Sequence, residues 1–207
     1  FIYSLTHYRE FKSLEQKIAV FGALNTPEGY TTLVSLPTGG GKSMITQTMA
    51  YQKNGLTIVI VPTVSLAIDQ VRNAKNNVKH TADDEIFCYY SGIEIDRKNA
   101  LRNAIKNETA KLLFISPEAL IRNNEFEMMI NEANSKKYLK NLIIDEAHIV
   151  IEWGDFFRVD YQCLEAWRKE LLLINSQLRT VLLSATYTQN AVVKLKQMFA
   201  DNGRWIE

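Results

Sequence analysis

The stretch Ser35 to Ser43, SLPTGGGKS, constrains the fold more than any other part of the chain. An apolar run, Thr32 to Leu36, leads into it, and MITQTMAYQ follows with apolar residues at helical intervals. Strand, glycine loop and helix are expected in that order. Gly39, Gly40 and Gly41 allow backbone angles that a Cβ resists, so the amide N–H groups from Thr38 onward can turn inward around a phosphate. A helix beginning near Lys42 adds the partial positive charge of its N-terminus. Lys42 is then placed to reach the β- and γ-phosphates and the Ser43 hydroxyl to ligate Mg²⁺. A turn that only joined a strand to a helix has no use for Gly-Lys-Ser after the glycines. The expected ligand is ATP with Mg²⁺.

The rest of the chain repeats the alternation. Residues 8–24, YREFKSLEQKIAVFGAL, place Leu14, Ile18, Phe21 and Leu24 on one helical face, with Gln16 polar near its start. Leu56 to Val61 reads as a strand buried on both faces. Pro62 ends it, and a helix capped by Thr63 or Ser65 follows, carrying Arg72, Lys75 and Lys79 towards its polar end. Further strands are expected at 86–90, 112–116, 142–144 and 180–184. Helices are expected at 95–107, from Pro117 in the first-turn manner of proline, and at 189–200, before a last short strand near 204–206. Strands alternating with helices at this spacing predict an α/β fold, a parallel sheet with right-handed crossovers and helices on both faces. Ligands of such sheets bind beyond the carboxyl ends of the strands, and PTGGGKS, PTVSL, ISPE, DEAH and SAT each follow an apolar strand there. No repeat or linker interrupts this order, so residues 1–207 are read as one domain, with 1–30 as an N-terminal helical region.

Hydrolysis of a triphosphate needs its charge neutralised, a metal and a positioned water. Asp145, directly after an apolar strand, is the expected second anchor for Mg²⁺ beside Ser43. Glu146 is suited to orient or deprotonate the attacking water. With these carboxylates covering hydrolysis, His148 is expected to link the ATP site to Ser184, Ala185 and Thr186. Residues 149–164, IVIEWGDFFRVDYQCL, bring Trp153, Phe156, Phe157 and Tyr161 within nine residues, interleaved with Asp155, Arg158 and Asp160. Core packing and a partly exposed loop that stacks on bases are both open to such a segment.

Net charge is +1, so any nucleic-acid contact must be local rather than a general basic field. Apolar residues make up 46% of the chain, yet its longest apolar runs fall far below the roughly 18 residues of a membrane span. Cys88 and Cys163 lack a second Cys or His at metal-ligand spacing and are expected to be reduced thiols, with no zinc site. No secretory signal is visible at the start, which also lacks Met, and the chain reads as a piece of a longer one.

Together these segments resemble the first RecA-like domain of a superfamily 2 helicase, a P-loop NTPase fold. Motif I is PTGGGKS, motif Ia lies within VPTVSLAIDQV, motif Ib is ISPEAL, motif II DEAH and motif III SAT. Leu36 stands where the general phosphate-loop pattern has glycine, a position that helicase-type loops relax. Within the superfamily the chain resembles the RecQ branch, whose aromatic-rich loop is matched at Trp153, Gly154, Phe157, Arg158 and Tyr161, and whose adenine-reading glutamine is similar to Gln16. It departs from that branch at Asp155, Phe156 and Glu152, and in having KSLE before Gln16.

The resemblance implies ATP-dependent 3′ to 5′ movement on DNA. Single strands, or duplex junctions, would be contacted through Trp153, Phe157, Arg158 and Tyr161, with Ser65 and Gln70 of motif Ia. It implies a second RecA-like domain bearing arginine fingers outside this chain, little activity in the fragment alone, and a bacterial, nucleoid-associated cytoplasmic setting. Rival expectations are a superfamily 2 translocase or remodeller of a defence or DNA-modification system that does not unwind, and an ATP-gated DNA-binding module that does not hydrolyse. A small-molecule kinase would leave SAT and the Trp153–Gly154 segment unexplained.

Overall fold

A computed structural model of the chain describes residues 2–79, 81–82, 84–121, 124–152 and 158–207. The strands are β1 (Thr31–Ser35), β2 (Leu56–Ile60), β3 (Ile86–Tyr89), β4 (Leu112–Ile115), β5 (Leu139–Ile144), β6 (Arg179–Ser184) and β7 (Trp205–Ile206). They form one seven-stranded sheet in the order β3-β4-β2-β5-β6-β1-β7, with every pairing parallel. α1 (Ile2–Leu5) and α2 (Leu14–Leu24) precede β1. Parallel strands need crossovers, and the later helices supply them: α3 (Lys42–Gln52), α4 (Val64–Asn77), α5 (Ile95–Lys106), α6 (Pro117–Ile121), α7 (Asn124–Ser135), α8 (Ile149–Glu152), α9 (Arg158–Ile174) and α10 (Gln189–Phe199).

Alternate strand residues feed two cores, one on each face. On one face Val59, Phe114, Ile143 and Val181 pack with Val20 of α2, Met44 and Met49 of α3, and Ala67 and Ala74 of α4. On the other, Ile58, Leu113, Leu142 and Leu182 pack with Leu101 of α5, Phe126 of α7, Leu164 and Leu171 of α9, and Leu195 of α10. The expected α/β sheet with helices on both faces is what forms. Among the described residues no helix is long and apolar enough to cross a membrane, no group of three metal-ligating side chains occurs, and both cysteines are free thiols.

The first long helix differs from expectation. It starts at Leu14, where Ser13 caps it by accepting from the Gln16 N–H, rather than near Tyr8. The expected inward face is mostly outward, with Leu14 66%, Ile18 63% and Phe21 45% exposed, while Gln16, Val20, Ala23 and Leu24 are buried. α2 is apolar on two stripes, and the stripe carrying the small Ala23 and the slim Val20 allows the closer approach to α3 and β1. Phe11 half covers the other, its ring 6.0 Å from both Tyr3 and Phe21. The second difference is α9, which starts at Arg158, inside the aromatic-rich segment. Trp153 and Phe157 lie outside the described residues; Arg158 and Tyr161 stand in the first turn of α9.

Candidate nucleotide site

β1 ends at Ser35, and Leu36 behind it is a buried core residue, 1% exposed. The loop then reverses over Pro37 to Gly41. A Cβ on Gly40 would come within 2.8 Å of the Pro37 carbonyl oxygen, and one on Gly41 within 2.0 Å of Gln16 Nε2. Gly41 also has φ +87°, in the left-handed region, and is the N-cap of α3 without any side-chain cap. The first N–H groups of α3 are thus left for an anion, as a helix N-terminus offers. Gly41→Ala is expected to weaken binding of a nonhydrolysable ATP analogue by roughly tenfold, since a left-handed alanine costs about 1–2 kcal/mol before the Gln16 clash is counted. Calorimetric titration reads it; unchanged affinity would contradict this picture of the loop.

Gln16 is buried against the loop. Its Oε1 accepts from the Lys12 N–H at 2.7 Å and its Nε2 donates to the Gly41 carbonyl at 3.3 Å, so both ends of the amide are occupied by protein. Lys12, which no sequence signal singled out, sends its Nζ to the Gly39 carbonyl at 3.2 Å and lines the same cleft. Its only cue was lying four residues before Gln16.

Across the cleft stand the two acids that follow β5. β6 lies between β5 and β1, so the acids, the loop and the end of β6 share one sheet edge. Lys42 forms an ion pair with Glu146 Oε1 and lies 3.8 Å from Asp145 Oδ1. Glu146 holds φ +50°, unusual for a residue with a Cβ, and its N–H donates to Asp145 Oδ1 at 3.0 Å. Burial pushes the Asp145 carboxyl above its ordinary range, against the pull of Lys42 and with a smaller push from Glu146. A carboxylate so desolvated is favoured by cations.

The donor set suits Mg²⁺: one hydroxyl, Ser43, and one carboxylate, Asp145, line a cleft of about 290 Å³ with room for phosphate oxygens and water. Ser43 Oγ now donates to Gln70 Oε1 at 3.3 Å. Gln70, expected to contact nucleic acid, therefore lines the phosphate cleft, whereas Ser65 is exposed in the first turn of α4.

His148 joins the acids to β6. Its Nδ1 lies 2.6 Å from Ser184 Oγ and 3.4 Å from Glu146 Oε2. Ser184 has a single hydroxyl proton and donates it to the Thr186 carbonyl at 3.0 Å. While it does so, its oxygen is left to accept from a protonated His148 Nδ1. The Thr186 side chain is exposed and Ala185 half-buried, so the SAT segment acts here through Ser184 and the Thr186 backbone. The arrangement can neutralise phosphate charge, hold a hard cation and offer a carboxylate to a water.

Solved structures share the fold. A hypothetical ATP-dependent RNA helicase from Sulfolobus tokodaii superposes with TM-score 0.65 at 20% identity, covering 97% of this chain and 53% of that one. The Hef helicase domain of Pyrococcus furiosus gives TM-score 0.63 at 16% identity, over 89% of this chain and 35% of the other. In sequence, the ATP-dependent DNA helicase RecQ of Synechocystis sp. is 32% identical over 165 residues, 78% of this chain and 33% of the relative. The RecQ-like DNA helicase BLM of Xenopus laevis is 32% identical over 169 residues, 80% of this chain and 12% of the relative. The chain thus spans a third or less of the length of these two relatives. The DEAD/DEAH box helicase family is matched over residues 14–194. On that match, which takes in the glycine loop, the DEAH segment and the SAT segment, the chain belongs to the DEAD/DEAH box helicase family.

Proposed function

We propose that this chain is the ATP-binding motor domain of an ATP-dependent 3′ to 5′ DNA helicase of RecQ type. The observation that carries the reading is the pairing of Lys42 with Glu146 and Asp145 across a glycine loop with uncapped amides. Two acids hold the cation that phosphates would compete for. Lys42 and the amides of Thr38 to Gly41 bind the phosphates, Ser43 and Asp145 hold Mg²⁺, and Mg²⁺ supplies further charge neutralisation when bound. Glu146 orients and deprotonates the attacking water. Gln16, held on the Gly41 carbonyl, ties occupancy of the loop to the N-terminal region. His148 and Ser184 relay the state of Glu146 to β6. Trp153, Phe157, Arg158 and Tyr161, with Ser65, are the proposed contacts to single-stranded DNA, and a second RecA-like domain elsewhere in the full-length protein completes the ATP site. The setting is the cytoplasm of a bacterium, at the nucleoid.

The ATPase rate of the full-length protein tests this, with and without single-stranded DNA, in the wild type and in Trp153→Ala. Strong stimulation that Trp153→Ala removes, with ATP binding intact, is the expected result. A rate indifferent to DNA would leave an NTPase acting on another polymer or partner. A strand-displacement assay then separates a helicase from a translocase that does not unwind.

A further inference from the structure

The RecQ resemblance gives Gln16 to adenine, but the geometry gives it to the glycine loop. A site that selects a base by hydrogen bonds keeps polar groups that the right base pairs and the wrong one leaves unpaired. Such groups must face the empty cleft. Gln16 is 1% exposed and is not among the residues that line the cleft, whereas Lys12, Thr46 and Gln70 are. Its Oε1 accepts from the Lys12 N–H at 2.7 Å and its Nε2 donates to the Gly41 carbonyl at 3.3 Å. An amide has one more proton and one more lone pair to offer, but at this burial no base reaches them.

The amide is seated on the loop itself, since a Cβ on Gly41 would come within 2.0 Å of Nε2. The Gly41 carbonyl also accepts from the Met44 N–H at 3.0 Å, so it points along α3. The peptide is planar and trans, and the Lys42 N–H therefore points the opposite way, out of the helix N-terminus. Gln16 thus fixes an amide that a phosphate would meet, and Lys12 Nζ holds the Gly39 carbonyl beside it. Of the other polar side chains on the cleft wall, Thr46 donates to the Ser43 carbonyl at 2.9 Å and Gln70 accepts from Ser43, at the end proposed for Mg²⁺. Lys42, Ser43 and Asp145 address the triphosphate or its metal, which every nucleoside triphosphate shares. We propose that Gln16 is a positioning residue for the glycine loop and not a reader of the base. The cleft then selects its substrate by the triphosphate and Mg²⁺, and takes purine and pyrimidine nucleoside triphosphates alike.

This rests on the reading of the cleft as a triphosphate site, and the test separates the two. Nonhydrolysable analogues of ATP, GTP and CTP are titrated with Mg²⁺ into the full-length protein, wild type and Gln16→Ala, by calorimetry. The three wild-type affinities are expected to lie within about tenfold of one another, against the roughly 10⁴-fold discrimination of a site that reads its ligand by hydrogen bonds. Gln16→Ala is expected to weaken all three by one common factor, roughly 3- to 10-fold, the size of one hydrogen bond. Discrimination that Gln16→Ala abolishes would make Gln16 a base reader and overturn the proposal. Discrimination that survives the change would overturn it too, by placing the reader elsewhere, as would a Gln16→Ala protein that binds all three like the wild type. The wild-type comparison needs no variant and decides the substrate class alone if Gln16→Ala does not fold. Binding of the ATP analogue only would overturn this proposal and leave the nucleotide site standing; binding of none would bring down both.

Discussion

Glu146→Gln in the full-length protein is expected to lower ATP turnover by on the order of 10²- to 10⁴-fold, the contribution of a positioned general base, while ATP binding survives. Glutamine keeps the length and shape of the side chain and can still accept a hydrogen bond from a water, but it cannot take the proton. The change also dissolves the ion pair between Lys42 and Glu146. Lys42 then meets the phosphates without first leaving a carboxylate, so affinity for ATP is expected to be equal or tighter. Single-turnover hydrolysis and equilibrium binding, measured on the same preparation, read the two effects separately. Hydrolysis near the wild-type rate would remove Glu146 from its role and leave Asp145 as the remaining acid at the end of β5.

The second large effect concerns stability, at a site no motif marks. Arg168 of α9 is fully buried, and its guanidinium spans three elements. Nε donates to Thr180 Oγ1 at 2.7 Å, Nη2 to Thr31 Oγ1 at 2.8 Å and Nη1 to Asp201 Oδ2 at 2.6 Å, with the Phe199 ring 5.5 Å away. Burial pulls the Arg168 pKa down and Asp201 pulls it back up. Removing the acid strands a cation in the core, whereas removing the cation leaves Asp201, 27% exposed, able to rehydrate. Asp201→Ala is therefore expected to destabilise the domain by about 3–5 kcal/mol, the cost of breaking a buried pair by removing one partner. Arg168→Met, which refills most of the volume, is expected to cost clearly less. Urea unfolding of both variants decides it. The opposite order would mean that the packing of the long side chain, and not its charge, is what the site supplies.

Much of the sheet was legible because a strand buried on both faces leaves a continuous apolar run, as in LTIVI of β2 and TVLLS of β6. The glycine loop and the DEAH segment were legible because their chemistry is carried by neighbours in sequence. What escaped depends on neighbours in space. The inward face of α2 could not be chosen by periodicity, since Leu14, Ile18 and Phe21 make as good a stripe as Val20, Ala23 and Leu24. α9 was partly hidden because alternating aromatic and charged residues suit a loop as well as a helix. Gln70 was read from its place in motif Ia, but its partner Ser43 is 27 residues away. Lys12 carries no pattern at all, and only the folded cleft gives it neighbours.

The place of β1, one strand in from the sheet's edge, has a consequence for how the protein is made. β1 pairs with β6 and β7, so Thr31 waits for Thr180 and Trp205, about 150 and 175 residues later in synthesis. At roughly 5–20 residues per second a ribosome takes on the order of 10 s to deliver them. Meanwhile β3, β4, β2 and β5 can already assemble, because their last member ends at Ile144. Such long-range pairing is slow to form, and until it forms the glycine loop hangs from a strand with two open edges. The capacity to hold a nucleotide is thus among the last properties the nascent domain acquires, and nucleotide binding by a translating chain would report that β6 has arrived.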